Sequence, residues 1–492
     1  MLRRRTFGRP QQSSIVPLVW FLFIGTPCWA LQSSGDPLPS GPEERQLNPP
    51  RRPSYRLDRS EEDWSFLRDA SFRADPWDPI KYIPLGRNDW YLSLGGEVRP
   101  FYEFYRNYNW GLGPQDDNGY FLHRFIGHAD LNFGKRVRIF SELKSGLGAG
   151  RNGGLRPVQD QDKLDLSQFF LELYSHFRKG SPALTVRIGR QELNYGEGSL
   201  VAIRELNVRR EFDGVKLILR PPGWRIDAFA VKPAQTKPGV FDDAPDPAQT
   251  LWGVYAATTK KIPSFLKELD LYYFGLDRKR ARFDQGVARD QRHTLGASMR
   301  GQKEAFSYWF EGDMQFGKFG AGQLFAWKYA QNLSYELART RFRPLLSLLG
   351  AISSGDKDPR NPDLQTFHPL FPKGLYYGYI DSSGSLNAIV VHPKVGLQLS
   401  KTVTFAADSF FFWRQRVTDG LYSQPGVFLR TGQASGARYV GALQHLEVLW
   451  HVDRHTTIQF LAAYYEVGGY LRETPPAGRN TTYFSLKMNY KF

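Results

Sequence analysis

The closing residues of the chain alternate without a fault. Phe484, Leu486, Met488, Tyr490 and Phe492 fall on one side of an extended segment, and Tyr483, Ser485, Lys487, Asn489 and Lys491 fall on the other. A β-strand sends successive side chains to opposite faces, so this is a strand with one apolar and one polar face. By itself it fits either the edge of a soluble sheet or a strand between lipid and water. The period recurs from Trp90 onward. Leu92, Leu94 and Val98 oppose Ser93, Glu97 and Arg99; Phe125, Ala129 and Leu131 oppose Arg124, His128 and Asp130; Val215, Leu217 and Leu219 oppose Gly214, Lys216 and Arg220. Val403, Phe405, Ala407, Phe411 and Trp413 oppose Thr404, Asp408, Arg414 and Arg416. Residues 183–193 lose parity after Ile188, which predicts a bulge.

About eighteen strands are predicted, at 90–106, 120–133, 135–146, 166–178, 183–193, 211–220, 223–233, 250–259, 267–278, 292–300, 304–316, 320–332, 339–352, 387–400, 403–417, 438–451, 455–467 and 480–492. Short links at 134, 179–182, 221–222, 260–266, 301–303, 333–338, 401–402 and 452–454 alternate with long ones at 107–119, 147–165, 194–210, 234–249, 279–291, 353–386, 418–437 and 468–479; only 317–319 breaks the rhythm. A soluble sandwich has no reason to keep that rhythm. A transmembrane antiparallel β-barrel does, with tight periplasmic turns and long extracellular loops. The fold class is therefore all-β, and residues 87–492 form the barrel.

The first thirty residues set the compartment. Arg3, Arg4, Arg5 and Arg9 precede an apolar run from Ile15 to Gly25, and Cys28-Trp29-Ala30 resembles a cleavage site. This is a signal-peptide pattern over 1–30 with cleavage near Ala30, so the chain is expected to be exported and, with the barrel, to lie in the bacterial outer membrane. Thr26-Pro27 before Cys28 is a weak lipoprotein signal. Cys28 is the only cysteine, so disulfides and thiolate metal sites are excluded from the mature chain. Beyond residue 30 nothing approaches the roughly eighteen apolar residues that a spanning helix needs. Residues 31–86 read as a Pro-rich linker with one short helix around Glu61 to Phe72, lying at the periplasmic side or partly plugging the barrel.

Lys and Arg number 65 against 49 Asp and Glu, a formal net charge of +16, and the balance stays basic once the signal's arginines are removed. A basic exported protein implies anionic partners such as acidic polymers or lipid, and export argues against nucleic acid. Aromatic residues make up 15% and gather near strand ends, as at Trp90-Tyr91, Phe411-Phe412-Trp413 and Tyr464-Tyr465, where they suit interfacial girdles. The polar parity is rich in Arg and Lys. Inside a closed sheet such side chains either attract anions through a wet lumen or pair with inward Glu and Asp. Parity places Arg99, Arg124, Lys216, Arg414, Arg416 and Lys487 on the lumen side. A second group stands in the dense segment from Ile188 to Val215, which holds Arg190, Glu192, Arg204, Arg209, Arg210 and Asp213 and reads as a loop folded inward to form a constriction.

The run GRQELNYGEG…RREFDGV, the loop SGDKDP…TFHPLFP…YYGYID and the Phe-terminated last strand resemble the alginate export family of outer-membrane proteins. The resemblance covers about residues 88–492. It implies an eighteen-stranded monomeric barrel whose arginine-rich conduit passes an anionic uronic-acid polymer by passive diffusion. Arg190, Glu192, Arg209, Arg210 and Asp213 match its motif. The implied partners are an acidic polysaccharide, outer-membrane lipid and periplasmic export proteins.

Rival signals are weaker. Asp356, Asp358, Asn361 and Asp363 lack the glycine and distal glutamate of a calcium loop. Gly146-Leu147-Gly148 and Gly196-Glu197-Gly198 have no strand–helix setting. The nine histidines show no metal spacing. No cofactor, metal or catalytic residue is expected. The alternatives carried forward are a small-solute uptake porin, a barrel enzyme using Ser409 and His451, and a soluble carbohydrate-binding β protein.

Overall fold

The computed structural model describes residues 52–86, 89–156, 158–176, 183–260, 265–374, 376–380 and 383–492. The signal segment, the first part of the linker, the link at 179–182 and part of that at 260–266 lie outside them. The alternation resolves into β1 (Trp90–Arg106), β2 (Tyr120–Phe133), β3 (Val137–Ala149), β4 (Asp162–His176), β5 (Ala183–Gln191), β6 (Phe212–Arg220), β7 (Trp224–Gln235), β8 (Gln249–Thr258) and β9 (Leu266–Phe283). It continues through β10 (Gly286–Lys303), β11 (Phe306–Phe319), β12 (Gly322–Glu336), β13 (Leu345–Ser353), β14 (Ala388–Gln398), β15 (Val403–Arg414), β16 (Tyr439–His451), β17 (Thr456–Val467) and β18 (Thr481–Lys491).

Each strand pairs antiparallel with its sequence neighbours. β18 closes on β1 from Glu97 opposite Lys491 to Arg106 opposite Thr482. Closure leaves no sheet edge, which lipid demands because nothing in it can satisfy a free backbone group. The outward parity is apolar and bare: Phe125, Leu217, Phe325, Leu446 and Leu486 are all exposed. The opposite parity buries Glu97, Arg99, Arg124, Glu142, Lys216 and Asp227 inside the barrel. Among the described residues no helix is long and apolar enough to cross a membrane.

Three expectations change. β5 keeps unbroken register with β4 and β6, so it carries no bulge. In the sequence the parity slips because Arg190 stays on the face of Ile188 and is neutralised there by Asp213 across the ladder. The irregularity lies instead in β4, where the register shifts between Gln168 and Leu166. The next position, Gly189, is required: φ is +134°, and a Cβ would lie 2.2 Å from the Phe169 carbonyl oxygen. Second, the long link expected at 279–291 is a two-residue hairpin. Ala281 and Phe283 continue the buried face of β9 and pack beside Phe319, Leu324, Leu364 and Tyr422, so burial outweighs the charge that read as loop. Third, residues 61–72 form short 3-10 turns at Arg59–Glu61, Ser65–Arg68 and Ala70–Phe72, and the α-helix is the single turn Asp78–Lys81.

Loops 192–211 and 354–387 turn into the barrel at the long-loop end and bond to each other, Phe371 N–H donating to the Leu200 carbonyl at 2.7 Å and Ala202 N–H to that of Phe371 at 2.9 Å. Tyr195, Leu200 and Phe371 pack on the inward rings of Phe229, Tyr255 and Phe274. Tyr376, Tyr377, Tyr379 and Ile380 do the same against Phe410, Phe412, Leu443 and Tyr465. The upper lumen is thus filled by apolar loop cores. At the short-turn end residues 52–86 enter from below: the Arg59 guanidinium donates to the carbonyls of Gly96 and Phe492, both at 2.9 Å, and Trp77 stacks on Phe492 at 4.5 Å.

Candidate functional site

The lumen wall is built from ion pairs. Arg138 bonds Asp130 at 2.7 Å and Glu172 at 3.1 Å; Arg187 also bonds Glu172, and Arg225 bonds Asp227 at 2.9 Å. Lys144 meets Asp162, Glu211 and Asp243 within 2.9–3.1 Å. Across the barrel Arg278 and Arg292 share Asp290, and Lys328 is held by Glu311 and Asp313. A buried charge is tolerable only when it is paired and hydrogen-bonded, so these residues hold the wall and its inward loops together.

Loop 192–211 makes the densest cluster. Arg99 of β1 and Arg124 of β2 converge on Glu205 and on the Leu206 carbonyl, with Arg99 at 2.9 Å from the carboxylate and 2.8 Å from the carbonyl. Arg209 joins them, 3.5 Å from Glu205 and 3.3 Å from Glu192. Arg124 is also fixed by Glu97 at 2.8 Å. Burial would raise the Glu205 carboxyl, yet Arg124, Arg209 and Arg99 outweigh it and hold the group well below the ordinary carboxylate value. Glu192 goes the other way: burial pushes it well above that value, more than Arg209 offsets. Glu205 is the exposed member of its cluster, at 31% against 2% or less for the three arginines.

The remaining nominated residues separate by place. Arg204 lies buried in the same loop and donates to the Val158 carbonyl at 2.6 Å. Arg210 sits over the Phe371 ring. Lys216 faces the lumen 3.8 Å from Asp227. Arg190 and Asp213 fall on the outward parity rather than the lumen side. They pair with each other at 2.9 and 3.1 Å on the outward parity, with Asp165 and the Asp243 carbonyl completing the guanidinium's bonds. Arg414 points inward, but its guanidinium is taken up by loop carbonyls of Val417, Asp419, Gly432, Ser435 and Ala437 and lies 3.9 Å over Tyr470. Arg416 lies beyond the end of β15, exposed, with its backbone held by Asn387. Parity failed there because the strand stops two residues early.

Lys487 is different. It faces the lumen, half-buried, 5.8 Å from the Phe101 ring. Among the described residues neither it nor the half-buried lumen residues Lys491 and Lys394 is held in an ion pair within 4.0 Å. The last two were missed although parity placed both, Lys491 opposite Glu97 and Lys394 opposite Asp408. Beside them Tyr379, reaching down from loop 354–387, donates to Glu447 at 3.1 Å and accepts from Gln459 at 2.8 Å. These three lysines lie on the β14–β18 side of the lumen.

Among the described residues one carboxylate trio, Asp165, Asp242 and Asp243, comes within 4.8 Å, and Arg190 and Lys144 already bond two of its members. Ser409 pairs in register with Gln444 on the outer face, seven residues from His451 along β16, or roughly 23 Å, so the two cannot act together.

The alginate export family model matches residues 90–484. No curated protein shows a significant sequence match. Among solved structures, Acinetobacter baumannii OccAB1 is similar over 84% of this chain and 99% of its own, with a TM-score of 0.55 at 11% identity. Pseudomonas aeruginosa OpdK with vanillate is similar over 82% and 98%, TM-score 0.54 at 9% identity. Pseudomonas aeruginosa OccK2 (OpdF) in complex with glucuronate is similar over 82% and 96%, TM-score 0.51 at 10% identity. These likenesses extend to the whole barrel and concern its fold. With the family match spanning most of the sequence, on a closed eighteen-stranded sheet that is apolar outside and charged within, the chain belongs to the alginate export family of bacterial outer-membrane β-barrels.

Proposed function

We propose that the barrel is a passive, anion-selective channel that carries an acidic polysaccharide outward across the outer membrane. The observation that carries this is the set of half-buried lumen lysines that form no ion pair within 4.0 Å among the described residues, Lys394, Lys487 and Lys491, the last two near the arginine cluster on Glu205. Fully paired arginines cannot exchange ligands cheaply. A half-buried ammonium without a counter-ion attracts a uronate carboxylate and releases it to the next site, as conduction requires. The family match supports an exported polyuronate as cargo. No covalent step is involved, and each function needs only these side chains and water.

In planar bilayers the protein should prefer anions, and oligomeric mannuronate added to the periplasmic side should block the current. Changing Lys394, Lys487 and Lys491 together to Gln should lower the anion-to-cation permeability ratio by about threefold or more. A reversal potential that shows cation preference in the wild type would overturn the reading.

A second reading is a porin for small carboxylates, favoured by the glucuronate and vanillate held by two barrels of the same fold. Liposome swelling separates them: rapid entry of monomeric glucuronate without block by the oligomer favours uptake.

A further inference from the structure

Residues 57–62 of the N-terminal segment lie inside the barrel and bond its charged wall. The Leu57 carbonyl accepts from Arg209 at 3.1 Å, Asp58 from Gln168 at 3.2 Å, and the Ser60 carbonyl from Arg138 at 2.7 Å. Glu61 faces two wall arginines. Its carboxylate is 3.4 Å from the Arg225 guanidinium and 4.0 Å from that of Arg187. In the ladder Glu172, Arg187 and Lys216 stand side by side on β4, β5 and β6. The wall here is short of negative charge. Arg138, Arg187, Lys216, Arg220 and Arg225 face only Asp130, Glu172 and Asp227 on the wall, and Glu61 supplies a fourth carboxylate. Arg187 keeps one buried guanidinium nitrogen, Nη1, without a hydrogen-bond partner.

We propose that Arg187, Lys216 and Arg225 form a carboxylate-binding station on the lumen wall, and that residues 57–62 occupy it as a built-in competitor, Glu61 standing where an incoming uronate carboxylate binds. The inference rests on the anionic-cargo reading above. The chemistry is that of a guanidinium and an ammonium aimed at one acceptor, which selects carboxylate over neutral sugar hydroxyls. The charge balance explains why the segment seats at all: without Glu61 the wall is left with a buried excess cation. Burial would raise the Glu61 carboxyl, but Arg225, Arg187 and Lys216 outweigh that and hold it below the ordinary carboxylate range, so it sits in the lumen as an anion. Seated, the segment narrows the lumen from the short-turn end. An anionic polymer arriving from that end competes for the same cations and displaces it.

The test is limited trypsin digestion of the full chain folded in detergent, followed by the cuts after Arg56, Arg59, Arg68 and Arg73, with bilayer recording alongside. Oligomeric mannuronate should speed those cuts about tenfold, and maltotriose at equal concentration should not. Glu61→Gln, which leaves the wall untouched, should speed them to a similar degree without ligand and blunt the response to mannuronate. Current block by mannuronate with unchanged cleavage overturns the station while leaving the channel reading intact. Glu61→Gln cleaved at the wild-type rate also overturns it. If mannuronate neither blocks current nor alters cleavage, both fall; if it alters cleavage alone, the station stands and the export reading falls.

Discussion

Lys81 is a titratable residue of the N-terminal segment buried against the barrel. Its ammonium is fully buried, with the rings of Trp64 and Tyr55 at 5.2 and 5.5 Å and no hydrogen-bond partner among the described residues. Burial pushes it down to about 7 from an ordinary 10.5; Arg59 and Arg454 add to the fall, Glu62 and Asp75 oppose it, and the His128 ring of β2 packs close by. The seated segment thus holds fewer protons than the released one between these two values. Seating must strengthen as pH rises from 7 toward 10.5, weaken as it falls, and level off below 7. Subtilisin cleavage of residues 52–86 should slow steadily from pH 7 to 9.5. Lys81→Met should cleave slowly at all these values and show a flat profile; a wild-type rate that climbs with pH would contradict the assignment. At this scale the sequence reading reached single residues but not their partners. Arg99, Arg124 and Lys487 were placed by parity alone. Glu205, on which the first two converge, lies 106 and 81 positions from them, and no local pattern joins residues so far apart.

Among the elements, the long connections decide whether the lumen is a tube or a filled core, and Arg414 fastens one of them. It ties carbonyls at both ends of loop 415–438 and stacks on Tyr470 of the helix Gly469–Glu473. Arg414→Met keeps the bulk but strands those carbonyls, each costing about 1–3 kcal/mol when buried unpaired. The expected result is rapid proteolysis within 415–438 while the barrel keeps its heat-resistant gel migration; an intact loop would mean the carbonyls find water. The strands themselves were legible because period-two alternation follows directly from one face in lipid and one in water. Their ends were less so. The β9–β10 hairpin reads as a charged loop because Arg278, Lys279, Arg280 and Arg282 crowd it, yet Ala281 and Phe283 carry the ladder onward by packing under loops whose position the sequence does not encode locally. Residues 61–72 failed as a helix for a related reason: Asp58, Asp63 and Asp69 each accept from a backbone N–H two residues on, capping separate turns.

The whole molecule divides its labour between two faces of one sheet. The outward face answers to lipid and sets stability; the inward face answers to water and sets what passes. β18 lets the two be separated, since Leu486 and Lys487 are neighbours in sequence on opposite faces near the middle of the strand. Leu486→Arg places a cation in the hydrocarbon band and should cost about 2–4 kcal/mol of barrel stability in lipid vesicles, with ion selectivity unchanged. Lys487→Gln should shift stability by no more than about 0.5 kcal/mol, because no ion pair is broken, while lowering the preference for anions. If Lys487→Gln destabilised the barrel as much as Leu486→Arg and left the reversal potential where it was, the lumen lysines would be wall fasteners like the arginines around them. Conduction would then have to be sought among residues that the loops now cover.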